Sequence, residues 1–534
     1  MKRAALWFVA CALLSAIGCS DDASREPSSD GLGHVDADGV KSAANGADGV
    51  KANGSGASAA SGVPRHLVVI VVEALRADHV GAYGYDQPTT PHLDALSRRG
   101  LRFDRAYAGS SSWGQSASAL WTGRLPSSGG ATGLREATPH GDLPNLVTLS
   151  RRAGRHTVIA SNQTDLWERA FTAGCDELQI DSTPGRWNAE HVTDRALDLT
   201  DSAGDVPLTL IVDFADATEP HLPAAEVRAR FEAPVPDAEA ILTLDWLREH
   251  AGALPPGLRG TPGFADLVTR YDAEVAQVDA ALGRLVAGLE SRGVLDDALL
   301  VVTSLHGVEW LEHGYVGSGW SLHEEVLRVP LVMVAPNRLT AGAVAAPVSL
   351  VDLLPTMVSL FDWEVPGSGL PEGRGPFDGE PLLAGRGATL TPATSRGRVI
   401  AELVIPETTI QRAAIHGNEK LIQQLLAVPV ESRHALTEAY AARVAALLDG
   451  TVERPDPWGA PSSRTLFDLT SDPRERVDLA VDRAARVEAL TRTLDAFGRH
   501  CREHAPAARE AARRLDLPEL NAEDLAALEQ LGYL

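Results

Sequence analysis

Short apolar runs alternate with longer amphipathic segments along most of the chain. The runs are continuous and rich in β-branched residues, which is typical of strands buried on both faces of a parallel sheet. They are His66–Val72, Thr157–Ala160, Leu208–Val212, Leu299–Thr303 and Leu331–Val334. The segments between the runs predict helices over Pro91–Arg99, Leu143–Ala153 and Phe264–Arg292, the last with apolar residues at three- and four-residue steps. This alternation predicts an α/β fold with a central, mostly parallel sheet flanked by helices.

The pattern changes after about Ala384. Two apolar stretches, Val399–Ile405 and Gln411–Ile422 with its turn at residues 416–418, predict a small antiparallel unit that Thr465–Asp468 extends. Helices follow over Arg483–Leu515 and Ala522–Leu531. We therefore expect an α/β domain over 63–384, an α+β subdomain over 385–480 and a helical tail over 481–534.

The N-terminus has the pattern of a secretory signal. Lys2 and Arg3 precede an apolar stretch over residues 4–17, which is too short to span a membrane. The string Ser15–Cys19 resembles a bacterial lipobox, in which the cysteine is acylated; an ordinary signal peptide or a short anchor with an incidental cysteine is the alternative. We expect a signal peptide over 1–18 and a lipid on Cys19, which would place the protein in the bacterial cell envelope, at the outer membrane or the periplasmic face.

Residues 19–62 are rich in Ser, Ala, Gly and Asp and show neither helical nor strand periodicity. A segment of this composition cannot bury enough apolar surface to offset its ordering entropy. A flexible coil of this length spans about 35 Å. We interpret it as a disordered tether between the membrane and the folded body.

Composition and charge narrow the function classes. The chain has 44% hydrophobic residues, which excludes a mainly disordered protein, and a formal net charge of −24, which disfavours binding to nucleic acid. Cys175 and Cys501 are a single, widely separated pair, and we expect them to be unpaired thiols. Ligand sites in α/β folds lie beyond the carboxyl ends of the strands, so Glu73, Asp213 and the residues 304–306 are the first candidates for a site.

Several strings in order along the chain resemble motifs of the sulfatases, within the alkaline-phosphatase-like superfamily. They are Val72–Tyr85, Pro88–Asp94, Leu120–Ser127, Glu219–Pro223, Leu327–Leu331, Val351–Thr356, Leu466–Pro473 and Leu531–Leu534. The resemblance covers roughly Pro64 to Ala480. It implies one divalent cation, usually calcium, held by aspartates at two strand ends, and a nucleophile that is a matured cysteine, a serine or a threonine. It also implies histidines and lysines that neutralise the oxygens of the ester.

The charge-handling positions depart from this pattern. The first metal aspartate is matched by Glu73, and the second by Leu305, which has no oxygen to donate. The nucleophile position falls on Trp113, or on Gly114 if one residue is deleted. Ser112 would serve only after a one-residue slip of the backbone, and it reads equally well as a turn and helix cap.

Two histidines remain at matching positions. His221 matches a histidine that faces the sulfate, and His306 matches the histidine after the second metal aspartate. Each has a structural alternative, as a packed or hydrogen-bonded side chain. Glu309, Glu312 and His313 resemble the loop that follows the second motif rather than ligands.

Three interpretations follow. The favoured one is a membrane-tethered pseudo-sulfatase with no cofactor, which binds an anionic glycan, a sulfate or phosphate ester, or a protein partner through the former active-site cleft. The second is an active sulfuric- or phosphoric-ester hydrolase with Ser112 as nucleophile, in which Glu73 and His306 hold calcium and His221 assists. The third is a structural envelope protein that binds its partner through its long C-terminal helices, Arg483–Leu515.

Overall fold

The computed structural model describes residues 63–129, 143–163, 174–180, 188–231, 241–250, 257–366, 377–385, 389–393, 397–405, 408–425 and 461–504. The predicted signal peptide, the tether, Cys19 and residues 505–534 of the predicted tail lie outside these ranges. No helix within them has the length and hydropathy needed to cross a bilayer.

The strands are numbered in chain order. They are β1 (His66–Val72), β2 (Leu101–Phe103), β3 (Ala106–Tyr107), β4 (His156–Ser161), β5 (Glu177–Ile180), β6 (Leu208–Phe214), β7 (Ala298–Thr303), β8 (Glu309–Trp310), β9 (Val316–Gly317), β10 (Arg328–Val329), β11 (Leu331–Val334), β12 (Gly342–Val344), β13 (Val348–Ser349), β14 (Leu383–Ala384), β15 (Thr391–Pro392), β16 (Arg398–Ile405), β17 (Thr408–His416), β18 (Glu419–Gln424) and β19 (Ser463–Asp468).

The α-helices are numbered in the same way, and short 3-10 turns lie between them. The helices are α1 (Pro91–Arg99), α2 (Trp113–Thr122), α3 (Pro126–Gly129), α4 (Leu146–Arg152), α5 (Ala189–Ser202), α6 (Ala225–Arg228), α7 (Leu244–Glu249), α8 (Pro262–Ser291), α9 (Glu324–Leu327), α10 (Leu353–Phe361) and α11 (Ala484–His504). The 3-10 turns cover Ala77–His79, Gly81–Tyr83, Leu258–Gly260, Val294–Asp297 and Leu350–Asp352.

The central sheet has eight strands in the order β12-β2-β11-β7-β1-β6-β4-β5. Strands β7, β1, β6, β4 and β5 are parallel neighbours, whereas β11 runs antiparallel to both β7 and β2. The register places Val71 of β1 beside Asp213 of β6 and beside Thr303 of β7. The predicted α/β fold with a mostly parallel sheet is confirmed.

Helices cover both faces of this sheet, which explains why the strands are continuously apolar. Leu67, Val69 and Val71 of β1 pack into one core, together with side chains of α2, α4 and α10. The alternate residues Val68 and Ile70 pack into a second core with side chains of α1, α5 and α8. Polar residues that follow neighbouring parallel strands, such as Glu73 after β1 and Ser304 after β7, lie at the same edge of the sheet.

A four-stranded antiparallel sheet, β16-β17-β18-β19, forms the predicted smaller unit. The hairpin between β17 and β18 turns after His416, as the sequence predicts, and α11 packs on this sheet through Leu490 and Leu494. Cys175 is half-buried and Cys501 is buried, and neither forms a disulfide within the described residues.

Candidate functional site

Glu73 begins the loop after β1, and its side chain is fully buried. The next residue, Ala74, has a left-handed backbone (φ 55°), a conformation that costs a non-glycine residue roughly 1–2 kcal/mol. Three contacts hold this turn: Ser304 Oγ accepts from Leu75 N at 3.1 Å, and Tyr271 Oη accepts from Arg76 N at 3.0 Å and donates to the Ala74 carbonyl at 2.8 Å. The loop conformation fixes the position of the Glu73 carboxyl.

Asp213, at the end of the neighbouring strand β6, is the second buried carboxyl of the site. Ser161 of β4 donates a hydrogen bond to Asp213 Oδ2 at 3.2 Å. Burial raises the pKa of Glu73 well above its ordinary value, and the Asp213 carboxyl raises it further. Like charges in a low dielectric are costly, so Glu73 holds its proton to a higher pH than an exposed glutamate does.

Trp113 occupies the first turn of α2, directly after Ser112 at the N-cap. Its indole N–H donates a hydrogen bond to Glu73 Oε1. Gln163, two residues beyond the end of β4, donates from Nε2 to Glu73 Oε2 at 3.2 Å. Both oxygens of the first carboxyl therefore accept from protein donors, and the helix start presents an indole where the resemblance places a nucleophile.

The end of β7 carries the second predicted group. Leu305 is buried in the apolar core on the α2 side of the sheet, and its carbonyl accepts a hydrogen bond from Ser116 of α2. His306 is also buried, and its Nδ1 lies 2.8 Å from the Gly307 carbonyl. Burial lowers the pKa of His306, which favours the neutral imidazole.

His221 is held by helix α8 rather than by the carboxyl pair. Its Nδ1 lies 2.7 Å from Glu274 Oε2, and its ring meets the Tyr271 ring edge-on at 5.4 Å. Burial raises the pKa of Glu274 to about 9. A protonated Glu274 can donate to Nδ1, so this contact has a complete structural explanation.

Ser112 is buried, and its carbonyl accepts the first helical hydrogen bond of α2 from Ser116 N at 2.9 Å. Its side chain does not cap the helix. A Cβ added at Gly319 would be in ordinary van der Waals contact with Ser112, at 3.9 Å from its Cα. The nucleophilic role of Ser112 stays a prediction.

Of the predicted site residues, Glu73 and Asp213 lie together, while His221 contacts α8 and His306 contacts its own loop. Gln163 was missed by sequence reasoning. The signal was present, because Gln163 follows β4 and the carboxyl ends of parallel strands share one edge of the sheet.

Comparison with known proteins decides the family. The family model described as Sulfatase matches residues 65–363, more than half of the chain. The chain belongs to the sulfatase family. It is 28% identical over 386 residues to arylsulfatase A of Bos taurus, a match covering 62% of this chain and 70% of that protein. It is also 22% identical over 385 residues to an N-acetylglucosamine-6-O-sulfatase of Bacteroides thetaiotaomicron, a match that covers 56% of this chain and 68% of that protein.

Solved structures share the sulfatase fold at lower identity. One solved structure, of a protein in complex with its substrate D-glucosamine-2-N,6-O-disulfate, superimposes on this chain with a TM-score of 0.61 at 18% sequence identity. The match covers 83% of this chain and 99% of that protein chain. A phosphonate monoester hydrolase of Agrobacterium radiobacter superimposes with a TM-score of 0.59 at 17% sequence identity, and the match covers 86% of this chain and 98% of that one. These likenesses concern the fold alone.

Sulfatases generally depend on a divalent cation, and the residues present here do not fit one. Calcium takes about 6–8 oxygen ligands. Leu305 offers no side-chain oxygen. The Glu73 oxygen that would have to ligate the cation instead accepts a hydrogen bond from the Trp113 indole N–H, which cannot itself ligate a cation. At the strand ends, the residues that the structure describes therefore do not supply the donor set that calcium needs.

Proposed function

We propose that this member of the sulfatase family has lost ester hydrolysis and serves as a tethered binding protein of the bacterial cell envelope. The hydrogen bond between Trp113 and Glu73 carries the proposal, since it joins the two positions at which the family resemblance expects a nucleophile and a metal ligand. Loss of the nucleophile alone costs a hydrolase that depends on it about 10⁶ in rate. Leu305 removes a means of activating any substitute.

Hydrolysis of chromogenic esters tests this proposal. The purified protein is incubated with 4-nitrophenyl sulfate or 4-nitrophenyl phosphate in the presence of Ca²⁺ or Mg²⁺, and nitrophenolate release is followed. We expect the rate of the buffer alone, with no difference between the wild type and Ser112→Ala. Turnover that disappears in Ser112→Ala would overturn the proposal in favour of a hydrolase with a serine nucleophile.

The charge of the pocket supports a protein partner over an anionic glycan or ester. Besides burial, the main influences on the pKa of Glu73 among the described residues are Asp213, Trp113 and Gln163, and none of these three is a cation. The chain as a whole carries a formal net charge of −24. A sulfated ligand would meet like charge at long range and buried carboxyls at contact.

Thermal unfolding with added glycans separates these ligands. The melting temperature is measured with a sulfated glycosaminoglycan and with its desulfated counterpart at the same concentration. We expect no rise with either. A rise with the sulfated form alone would favour the anionic glycan, because only a ligand that binds the native state stabilises it.

The envelope location rests on the lipobox-like string that ends at Cys19 and on the polar segment over residues 20–62. An acyl anchor with a flexible tether would let the folded body reach about 35 Å from the membrane. Such a reach suits a protein that binds a partner in the envelope.

A further inference from the structure

Two histidines stack face to face away from the carboxyl pair. His313 lies in the turn between β8 and β9, and His323 is the N-cap of α9. Their ring centroids are 3.6 Å apart and their planes differ by 8°. Glu475, from the segment after β19, reaches the same point and is fully buried. We call these three residues the His313–His323–Glu475 cluster.

The spacing of the cluster is that of metal ligands. Each of the three side chains offers one ligand atom, and these atoms lie within 4.8 Å of one another. His323 Nδ1 is 3.0 Å from Glu475 Oε2. Two ligands of a tetrahedral zinc ion, each about 2.0–2.1 Å from the metal, are about 3.3 Å apart.

Glu325 supplies an independent observation. Its Oε2 lies 3.4 Å from His313 Nε2, yet both atoms are buried and neither makes a hydrogen bond among the described residues. Glu325 is 94% buried, as only 6% of its surface is exposed. The two groups form a buried ion pair whose atoms make no hydrogen bond, and a shared cation would satisfy both.

The surrounding contacts hold the cluster in place. Glu309 Oε1 accepts from the backbone N–H of His313 at 2.8 Å and of Tyr315 at 3.0 Å, which fixes the turn. Glu475 Oε1 contacts Lys420 Nζ at 2.9 Å. Ligands restrained in this way lose little freedom when a metal binds.

The charge balance also favours a cation. Four glutamates, Glu309, Glu324, Glu325 and Glu475, lie around the two histidines, and the cations that act on them are Lys420, Arg76 and Arg328. A divalent ion would offset the surplus of negative charge.

We propose that His313, His323 and Glu475, with Glu325 beside them, bind one divalent transition-metal ion such as Zn²⁺. Two imidazoles and carboxylate oxygens are a donor set that suits this class of ion. The ion would join the turn between β8 and β9 and the start of α9 to the segment that follows β19. This site is independent of the proposed loss of hydrolysis.

Metal titration of the full chain, purified without a histidine tag and stripped with a chelator, tests the site. Zinc affinity is measured by competition with a chromogenic chelator, and Co²⁺ is used as a second probe because its visible absorption reports tetrahedral coordination. We expect one tight site in the wild type. His323→Gln, which keeps a donor toward Glu475 but removes the imidazole, should weaken zinc binding by about 100-fold or more.

Two further variants make the result decisive. His313→Gln should weaken binding as His323→Gln does, whereas His416→Gln, which changes an exposed histidine at the end of β17, should bind zinc like the wild type. Zinc should raise the melting temperature of the wild type and of His416→Gln only. Absence of tight zinc binding in the wild type, or equal affinity in all variants whose metal-free melting temperatures match the wild type, would overturn the proposal.

Discussion

At the scale of single residues, Trp113 changes what the pocket can do. A carboxyl buried at a strand end needs either a cation or hydrogen-bond donors to offset its lost hydration. The Trp113 indole N–H and the Gln163 amide both donate to Glu73, and burial, followed by the Asp213 carboxyl, raises the pKa of Glu73. Donors have therefore taken the place in which the resemblance expects a cation.

The indole N–H of Trp113 is expected to stabilise the fold. Trp113→Phe keeps most of the apolar surface but removes the donor to a buried carboxyl, so the free energy of unfolding should fall by about 1–3 kcal/mol. Urea unfolding measures the change. A double-mutant cycle that combines Trp113→Phe with Glu73→Ala should give a coupling energy of at least about 0.5 kcal/mol. Additive effects of the two substitutions on the free energy of unfolding would contradict the contact.

The contact between His221 and Glu274 predicts a dependence of stability on pH. The native state holds the Glu274 proton more tightly than the unfolded chain, because the pKa rises from 4.5 to about 9 on folding. Its contribution to stability is therefore present below the unfolded pKa and is lost as the pH rises toward about 9. Glu274→Gln keeps an acceptor for the backbone N–H of Leu222 and a donor for His221 Nδ1, but has no titrating group.

Melting temperatures at about pH 5 and about pH 9 check this expectation. The wild type should lose more stability over this interval than Glu274→Gln, and the difference between the two proteins isolates the one carboxyl. Equal losses would show that Glu274 does not hold a proton in the folded state.

At the scale of elements, the loop after β7 is packed too closely to tolerate a larger residue. Gly307 N donates to the Val326 carbonyl at 2.9 Å, and an added Cβ at Gly307 would collide with the backbone carbonyl of Glu325 at α9. Gly307→Ala should therefore lower the free energy of unfolding by about 3 kcal/mol. Gly260→Ala, where nothing lies within 4 Å of the added Cβ, should change it by less than about 0.5 kcal/mol.

Chemical denaturation of the two glycine variants provides the measurement. The expected order is a large loss for Gly307→Ala and almost none for Gly260→Ala. Similar values for both would mean that the loop after β7 shifts to accept a methyl group, and that its position does not depend on close contact with α9.

The sequence predicted the long elements well. Strands β1 and β11 and helix α1 have the predicted bounds, and α8 begins two residues before the prediction. Their apolar patterns are set by burial against the sheet, so the pattern and the element coincide. The two-residue strands β8 and β9 were not predicted, because two residues carry no period, and an apolar run does not reveal that β11 is antiparallel.

The part of the site that follows apolar runs could also be predicted from the sequence. Glu73 and Leu305 follow apolar runs, so their places at the sheet edge could be inferred. The hydrogen bond from Trp113 to Glu73 joins residues 40 positions apart, and that from Gln163 joins residues 90 apart. Such contacts depend on how helices and loops pack together, which local patterns do not encode.

At the scale of the whole folded unit, a buried lysine connects the central body to the antiparallel sheet. Lys420 of β18 contacts Glu324 of α9 at 3.0 Å and Glu475 at 2.9 Å. Lys420→Met leaves two carboxylates without their counter-charge in a buried site and should cost about 3–5 kcal/mol of unfolding free energy. Arg486→Met breaks an ion pair of Glu419 that faces solvent, and should cost less than about 1 kcal/mol.

Urea unfolding of the two variants decides whether this connection matters. The expected midpoint for Lys420→Met lies well below those of the wild type and of Arg486→Met. A Lys420→Met protein as stable as Arg486→Met would mean that the lysine is dispensable, and that apolar packing alone joins the two sheets.

The proposed membrane location of the protein depends on attachment of a lipid to the sulfur of Cys19. If Cys19 carries lipid, Cys19→Ala should move the protein from the detergent phase to the aqueous phase in a phase-separation assay and abolish incorporation of labelled palmitate, because acyl chains supply the apolar surface that binds the bilayer. Cys11→Ala is the matched control, since Cys11 lies in the predicted signal peptide and should be absent from the mature chain. Equal partitioning of both variants with the wild type would reject the lipid anchor and, with it, the proposed function of the 19–62 segment as a membrane tether.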